Sequence, residues 1–224
     1  MTEHVHVHAP HELSESGGST TRSERVFELV ATILLSIATL GIAWSGYQAA
    51  RWNGRQAEEY ASANTSRSLA NRATTNGDSE HTQDVLLFNQ WLQFMTTNEQ
   101  DLARAYEQRF RPGFRDALEA WLAQEPLTNP DAARSPFQLP EYKVPELERS
   151  DGLERTATQH FEDAKEATEH TDSYVLTSVF LAAVLFFAGI SMRFAWQPTR
   201  ITVLVLATLS LAYGAVRIAT LPTL

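Results

Sequence analysis

The stretch "AWSGYQAARWNGRQAEEY", Ala43 to Tyr60, passes from apolar to polar residues with no proline in it. It either ends a membrane helix or carries that helix on into water, and the architecture turns on which. Thr32, Ser36, Thr39, Ala43, Gly46, Ala50, Gly54, Ala57 and Ala61 fall at steps of three and four through the crossing, and Asn64, Ser68 and Asn71 continue the row. A row of small or short polar residues that keeps its phase across the boundary predicts one unbroken helix. Trp44, Tyr47 and Trp52 stand around the crossing, as interfacial aromatic anchors do. At 1.5 Å per residue, a helix from Arg25 to Thr75 would be about 75 Å long.

Three apolar blocks are long enough to cross a hydrocarbon core, which takes roughly 20 helical residues. We place the spans at residues 24–49, 173–195 and 200–220. The first is longer than the apolar run of a secretory signal and follows an acidic rather than a basic segment, so it is expected to stay attached. The chain has no cysteine, which excludes disulfides and thiolate metal sites. Between Ala50 and Asp172 stand 13 basic and 22 acidic side chains, a net charge of −9. That balance argues against nucleic acid, whose binding rests on Lys and Arg contacts with phosphate.

Residues 1–23 are polar and Ser/Gly-rich, with the composition of a flexible tail. Residues 50–172 read as an acidic helical soluble domain. Within it the long helix is expected to end at the turn signal Asn76-Gly77, and a second helix to run from Ser79 to Phe110. Pro112-Gly113 then breaks the chain before a short helix over "FRDALEAWL". Five prolines from Pro126 to Pro145 predict a turn-rich loop over residues 126–145, held down by Phe137, Leu139 and Tyr142. Helical character resumes at Glu146 and leads into the second span. The fold class is therefore all-α, with membrane helices 1 and 2 extended into a helical extramembrane domain.

The small-residue row is the strongest candidate for an interaction site, because small side chains let helix backbones approach closely in lipid. It could pack on this chain's own second or third span, on another copy, or line a pore through Thr32, Ser36 and Thr39. Gln48 lies off the row, so leucine there is expected to disturb packing less than leucine at Gly46 or Ala50. His4, His6, His8 and His11 form a weak divalent-metal binder in the tail, lacking a scaffold to close a coordination shell. No other cofactor is expected. Arg104, Arg109, Arg111 and Arg115 form a candidate anion site, weighed against ion pairs with Glu107, Asp116 and Glu119. His160, Glu162, Asp163, Glu166, Glu169 and His170 share one helix at spacings a metal site can use, but no second Glu-x-x-His pattern is present. A solvated acidic face is expected there. Neither a phosphate loop nor a nucleophile elbow is present, and charges are confined to span ends, so neither an enzyme nor an ion-coupled transporter is expected.

The segments "AWSGYQAARWNGRQAEEY", "RFRPGFRDALEAWL", "NPDAARSPFQLPEY" and "YVLTSVFLAAVLFFAGI" resemble an uncharacterised family of bacterial three-span membrane proteins. The resemblance covers nearly the whole length and implies a bacterial membrane protein of similar layout, with no residue role attached. The expected role is structural or accessory, through helix packing and homo-oligomerisation or a contact with another membrane protein. A ligand or stress sensor and an oligomeric channel are the alternatives; the short tail and the terminal "LPTL" weigh against the sensor, because they leave no output domain. Arg22, Arg25, Arg193 and Arg200 flank spans on one side, and Arg51, Arg55, Lys165 and Arg217 on the other. The tight loop "AWQPT" concentrates its charge, so the first side is expected in the cytoplasm and the acidic domain in the periplasm or outside the cell.

Overall fold

The computed structural model describes residues 22–194 and 196–224; the histidine tail lies outside them. All regular structure in the described residues is helical: α1 (Arg22–Thr96), α2 (Gln100–Glu107), α3 (Pro112–Leu122), a 3-10 turn (Pro136–Gln138), α4 (Pro145–Ser191) and α5 (Gln197–Thr220). Three of these helices, α1, α4 and α5, are long and apolar enough to cross a membrane, and the chain is read as a multi-pass membrane protein. The passage at Ala43–Tyr60 is helical throughout, inside the 75 residues of α1.

The chain divides into two units, one made of residues up to Ala50 with His170–Leu224, the other of Arg51–Glu169. In the first, Ala31, Leu34 and Ala38 of α1, Val184 and Ala188 of α4, and Leu204 and Ala207 of α5 form a small-residue core. Leu181 is the key between the three helices. A Cβ on Gly41 would stand 2.9 Å from its Cδ1, and one on Gly214 would stand 2.6 Å from its Cδ2. Leu29, Ile33, Ile37, Leu40, Val179, Phe186, Val205 and Leu209 are exposed on the outside of this bundle, as side chains facing lipid must be.

In the second unit, the first half of α4 runs antiparallel to α1. Glu59 meets His160, Tyr60 meets Phe161, Ala70 meets Ser150 and Gly77 meets Leu147. The expected stop at Asn76-Gly77 is absent. Gly77 is buried inside α1, where a Cβ would lie 2.7 Å from Leu147 Cγ and Cδ2. Close approach of α4 outweighs the helix cost of glycine, about 1 kcal/mol. The helix ends instead at Thr96, and Asn98 just beyond it lies in the left-handed region at φ 64°. There the Glu99 N–H donates to the Phe94 carbonyl at 2.9 Å, closing a Schellman-type cap. The second expected helix, Ser79 to Phe110, is therefore divided between the end of α1 and α2.

Pro112 opens α3 at a position where no N–H is needed, and Pro145 opens α4, with the Val144 carbonyl accepting from Leu147 and Glu148. Phe88, Trp91, Phe110, Phe114, Leu118 and Trp121 build an aromatic core, closed by Phe137, Leu139 and Tyr142 of the proline-rich loop. Phe114 is fully buried, edge-on to Phe110 at 4.9 Å and stacked on Phe137 at 5.2 Å. Burial of each such ring stabilises by about 1.5–3 kcal/mol. The indole N–H of Trp121 donates to the Ala133 carbonyl at 2.6 Å and fixes the loop.

Candidate functional site

Two polar clusters interrupt the apolar seams of the Arg51–Glu169 unit. The first surrounds Asp84, which is 1% exposed in α1. The Arg111 guanidinium straddles its carboxylate, with Nε at 3.2 Å from both oxygens and Nη2 on Oδ2. Arg111 also reaches Glu80 at 3.2 Å. The Tyr142 hydroxyl donates to Asp84 Oδ2 at 3.0 Å. Tyrosine has one proton to give, so the 2.8 Å contact between His81 Nδ1 and Tyr142 must be donated by the imidazole. Burial and the Asp84 charge both push the Tyr142 pKa up, and hydrogen bonding to Asp84 raises that of Arg111. The cluster ties α1, the start of α3 and the proline-rich loop together through charge-assisted bonds.

The second cluster lies further toward the start of α1. Glu59, with a side chain 5% exposed, accepts from Arg55 at 2.6 Å on Oε1 and from His160 Nδ1 at 2.6 Å on Oε2. One turn along α4 from His160, Asp163 accepts from Gln159 at 2.9 Å. One ligand atom each from Glu59, His160 and Asp163 lies within 4.8 Å of the other two. The expected solvated acidic face is thus only partly solvated, because α1 supplies a buried carboxylate that spacing along α4 could not reveal. Glu162 keeps the expected surface role, bonded to Lys165 at 2.9 Å. His170 belongs to the other unit.

The four arginines of the candidate anion site have separate partners. Arg104 pairs with Asp101 at 2.7 Å, Arg109 lies over the Tyr106 ring at 5.3 Å, and Arg115 donates to the Phe110 carbonyl at 3.3 Å. Arg111 belongs to the Asp84 cluster.

The small-residue row faces outward. Thr32, Ser36, Thr39, Ala43, Gly46, Ala50, Gly54, Ala57 and Ala61 are all exposed, and a Cβ on Gly46 or Gly54 would meet nothing within 4 Å. Of the three alternatives for the row, packing on this chain's own spans is made instead by another face, through Ala31, Leu34, Ala38, Gly41, Ser45 and Gln48. Both rows run at steps of three and four, so periodicity alone could not choose between them. The hydroxyls of Thr32, Ser36 and Thr39 donate to Glu28, Thr32 and Leu35 carbonyls of their own helix at 2.8, 2.9 and 2.8 Å. Gln48, expected to lie off the packing face, is 1% exposed and accepts from the Leu224 N–H at 3.2 Å. Beside it in the bundle, the buried Tyr174 donates to the Pro222 carbonyl at 3.1 Å.

No family model, curated protein or solved structure matches the chain. The roles of these residues therefore rest on their geometry.

Proposed function

We propose that this is a structural or accessory protein of the bacterial plasma membrane that self-associates through the outward small-residue face of α1. The observation that carries the reading is the exposure of that face from Thr32 to Ala61, with open space over Gly46 and Gly54. Small side chains allow a second helix to approach closely, and van der Waals packing then drives association in lipid. The hydroxyls within the span already have partners in their own helix, so shape rather than interhelical hydrogen bonding supplies the contact.

Within the Arg51–Glu169 unit, Ala63, Ala70, Gly77, Asp84 and Trp91 are buried at seven-residue intervals, as are Ser150, Ala157 and Ala164. That repeat supports a coiled-coil reading of the α1–α4 seam. The charge distribution supports a periplasmic or extracellular side for the acidic unit.

The test is molar mass in detergent, by light scattering, for the wild type, Gly46→Leu and Gly54→Leu. The wild type should be an oligomer, and the variants should shift toward one copy while keeping the wild-type helix content, with a melting temperature no lower than that of the wild type diluted to one copy. A monomeric wild type, in detergent and by crosslinking in native membranes, would refute self-association.

A further inference from the structure

We infer that Glu59, His160 and Asp163 form a binding site for a first-row divalent cation of the zinc class. The donors differ in kind and come from two helices: one buried carboxylate of α1, and an imidazole and a second carboxylate one turn apart on α4. Their ligand atoms lie within 4.8 Å of one another. Ligands about 2.1 Å from a tetrahedral zinc ion stand about 3.4 Å apart, a spacing that turning of these side chains would reach, with Glu59 and His160 parting from 2.6 Å. One nitrogen and two oxygens suit zinc and its neighbours, and three protein ligands leave a coordination position for water.

The surroundings favour a cation at this point. Glu59 is nearly enclosed, with Ala63, Ala157 and Ala164 buried along the same seam, and a bare carboxylate there carries a large desolvation cost. Arg55 and His160 now offset that cost, one on each oxygen. Both also reach solvent: the Arg55 side chain is 49% exposed and that of His160 is 35% exposed. An entering dication would take over the neutralisation of Glu59, release Arg55 to water and bind imidazole as the neutral base, with loss of any proton on the ligating nitrogen. Gln159 holds Asp163 Oδ1 at 2.9 Å, which orients the third ligand as outer-shell partners do. The site would clamp α1 to α4 within this unit.

The test uses the full-length protein in detergent, titrated with Co²⁺ and followed by its visible absorption, then back-titrated with Zn²⁺. A chain with His4, His6, His8 and His11 all replaced by serine removes the tail's contribution. In that background one Co²⁺ per chain should bind and be displaced by Zn²⁺. His160→Ala and Asp163→Asn should each weaken binding by about tenfold or more. Arg55→Ala should tighten it by about fivefold, because the competing ion pair is gone. A purely structural Arg55–Glu59–His160 bridge predicts no saturable band in any of these chains, and that result overturns the site. A band unchanged by His160→Ala overturns it equally. Thermal unfolding of each variant without metal, and its shift on adding Zn²⁺, separates loss of ligand from loss of fold.

Discussion

Gly77 of α1 and Leu147 of α4 approach so closely that a Cβ on the glycine would lie 2.7 Å from the leucine Cγ and 3.2 Å from its backbone nitrogen. The contact joins the start of α4 to the last third of α1 at a position whose sequence, Asn-Gly, otherwise signals a turn. Backbone against side chain at this distance leaves no room for any other residue.

Valine at Gly77 should therefore destabilise the protein by about 1–3 kcal/mol, the usual cost of overpacking. Alanine at Gly152, where a Cβ meets nothing within 4 Å, should instead stabilise by up to about 1 kcal/mol through helix propensity. Thermal unfolding followed by tryptophan fluorescence measures both. Equal responses at the two sites would mean that the Gly77–Leu147 contact does not hold the helices.

Breaking the Asp84 cluster should cost more. Asp84→Asn leaves the Arg111 guanidinium facing a neutral amide. With the Arg111 side chain still 25% exposed, a loss of about 2–4 kcal/mol is expected, below the full penalty for an orphaned buried charge. Replacing both partners, Asp84→Leu with Arg111→Met, should recover part of that loss, since no fully buried charge is left unpaired and Glu80, 35% exposed, can turn to water. A double-mutant cycle in urea gives the coupling energy. Additive single effects would show that the pair contributes nothing as a unit.

The same cluster carries a pH dependence with a definite sign. The pKa of Tyr142 is raised from its ordinary 10.0, chiefly by burial and then by the Asp84 charge. A group with a raised folded-state value contributes its full stability below the unfolded value and loses it as pH climbs toward the folded one. The wild type should thus lose stability relative to Tyr142→Phe as pH rises above about 10, with a constant difference below it. Melting curves between neutral and alkaline pH test this, and parallel curves throughout would contradict it.

The spans, the unbroken passage through Ala43–Tyr60, the proline-rich loop and the aromatic anchors that pin it were legible in the sequence, because each rests on local composition or helical spacing. What escaped were relations between distant residues. The partner of His160 lies 101 positions away, and that of Tyr142 lies 58 away. No spacing rule connects such pairs until the helices are laid antiparallel. The face of α1 that packs on α4 and α5 escaped for a related reason. It and the small-residue row share one period and differ only in which side of α1 they occupy. Gly77 was misread because its close contact, Leu147, lies in another helix.

Gln48 reverses an expectation drawn from that row. Gln48→Ala removes a buried side chain and its bond to the Leu224 N–H, and should destabilise the span bundle by about 1–3 kcal/mol. Gly46→Leu, pointing into open space, should leave the unfolding temperature of a single chain unchanged. The reverse order in unfolding measurements would put the packing face back on the small-residue row.

Orientation in the membrane is the last relation that can be tested directly. If α1, α4 and α5 each cross the membrane, as proposed, the loop around Gln197 and the Arg51–Glu169 unit face opposite sides. The short loop keeps Arg193 and Arg200 beside it, and short loops are where basic residues hold a segment in the cytoplasm. The acidic unit is long, and long segments translocate largely regardless of their charge. Both arguments favour the proposed orientation, with that unit in the periplasm or outside the cell. The chain has no native cysteine, so single cysteines report position without background. Thr128 and Gln197 are both exposed, one in the proline-rich loop and the other at the start of α5. In intact cells with a permeabilised outer membrane, Thr128→Cys should react with a membrane-impermeant maleimide, and Gln197→Cys should react only after the inner membrane is opened. The opposite pattern would place the acidic unit, with its Asp84 and Glu59 clusters, in the cytosol.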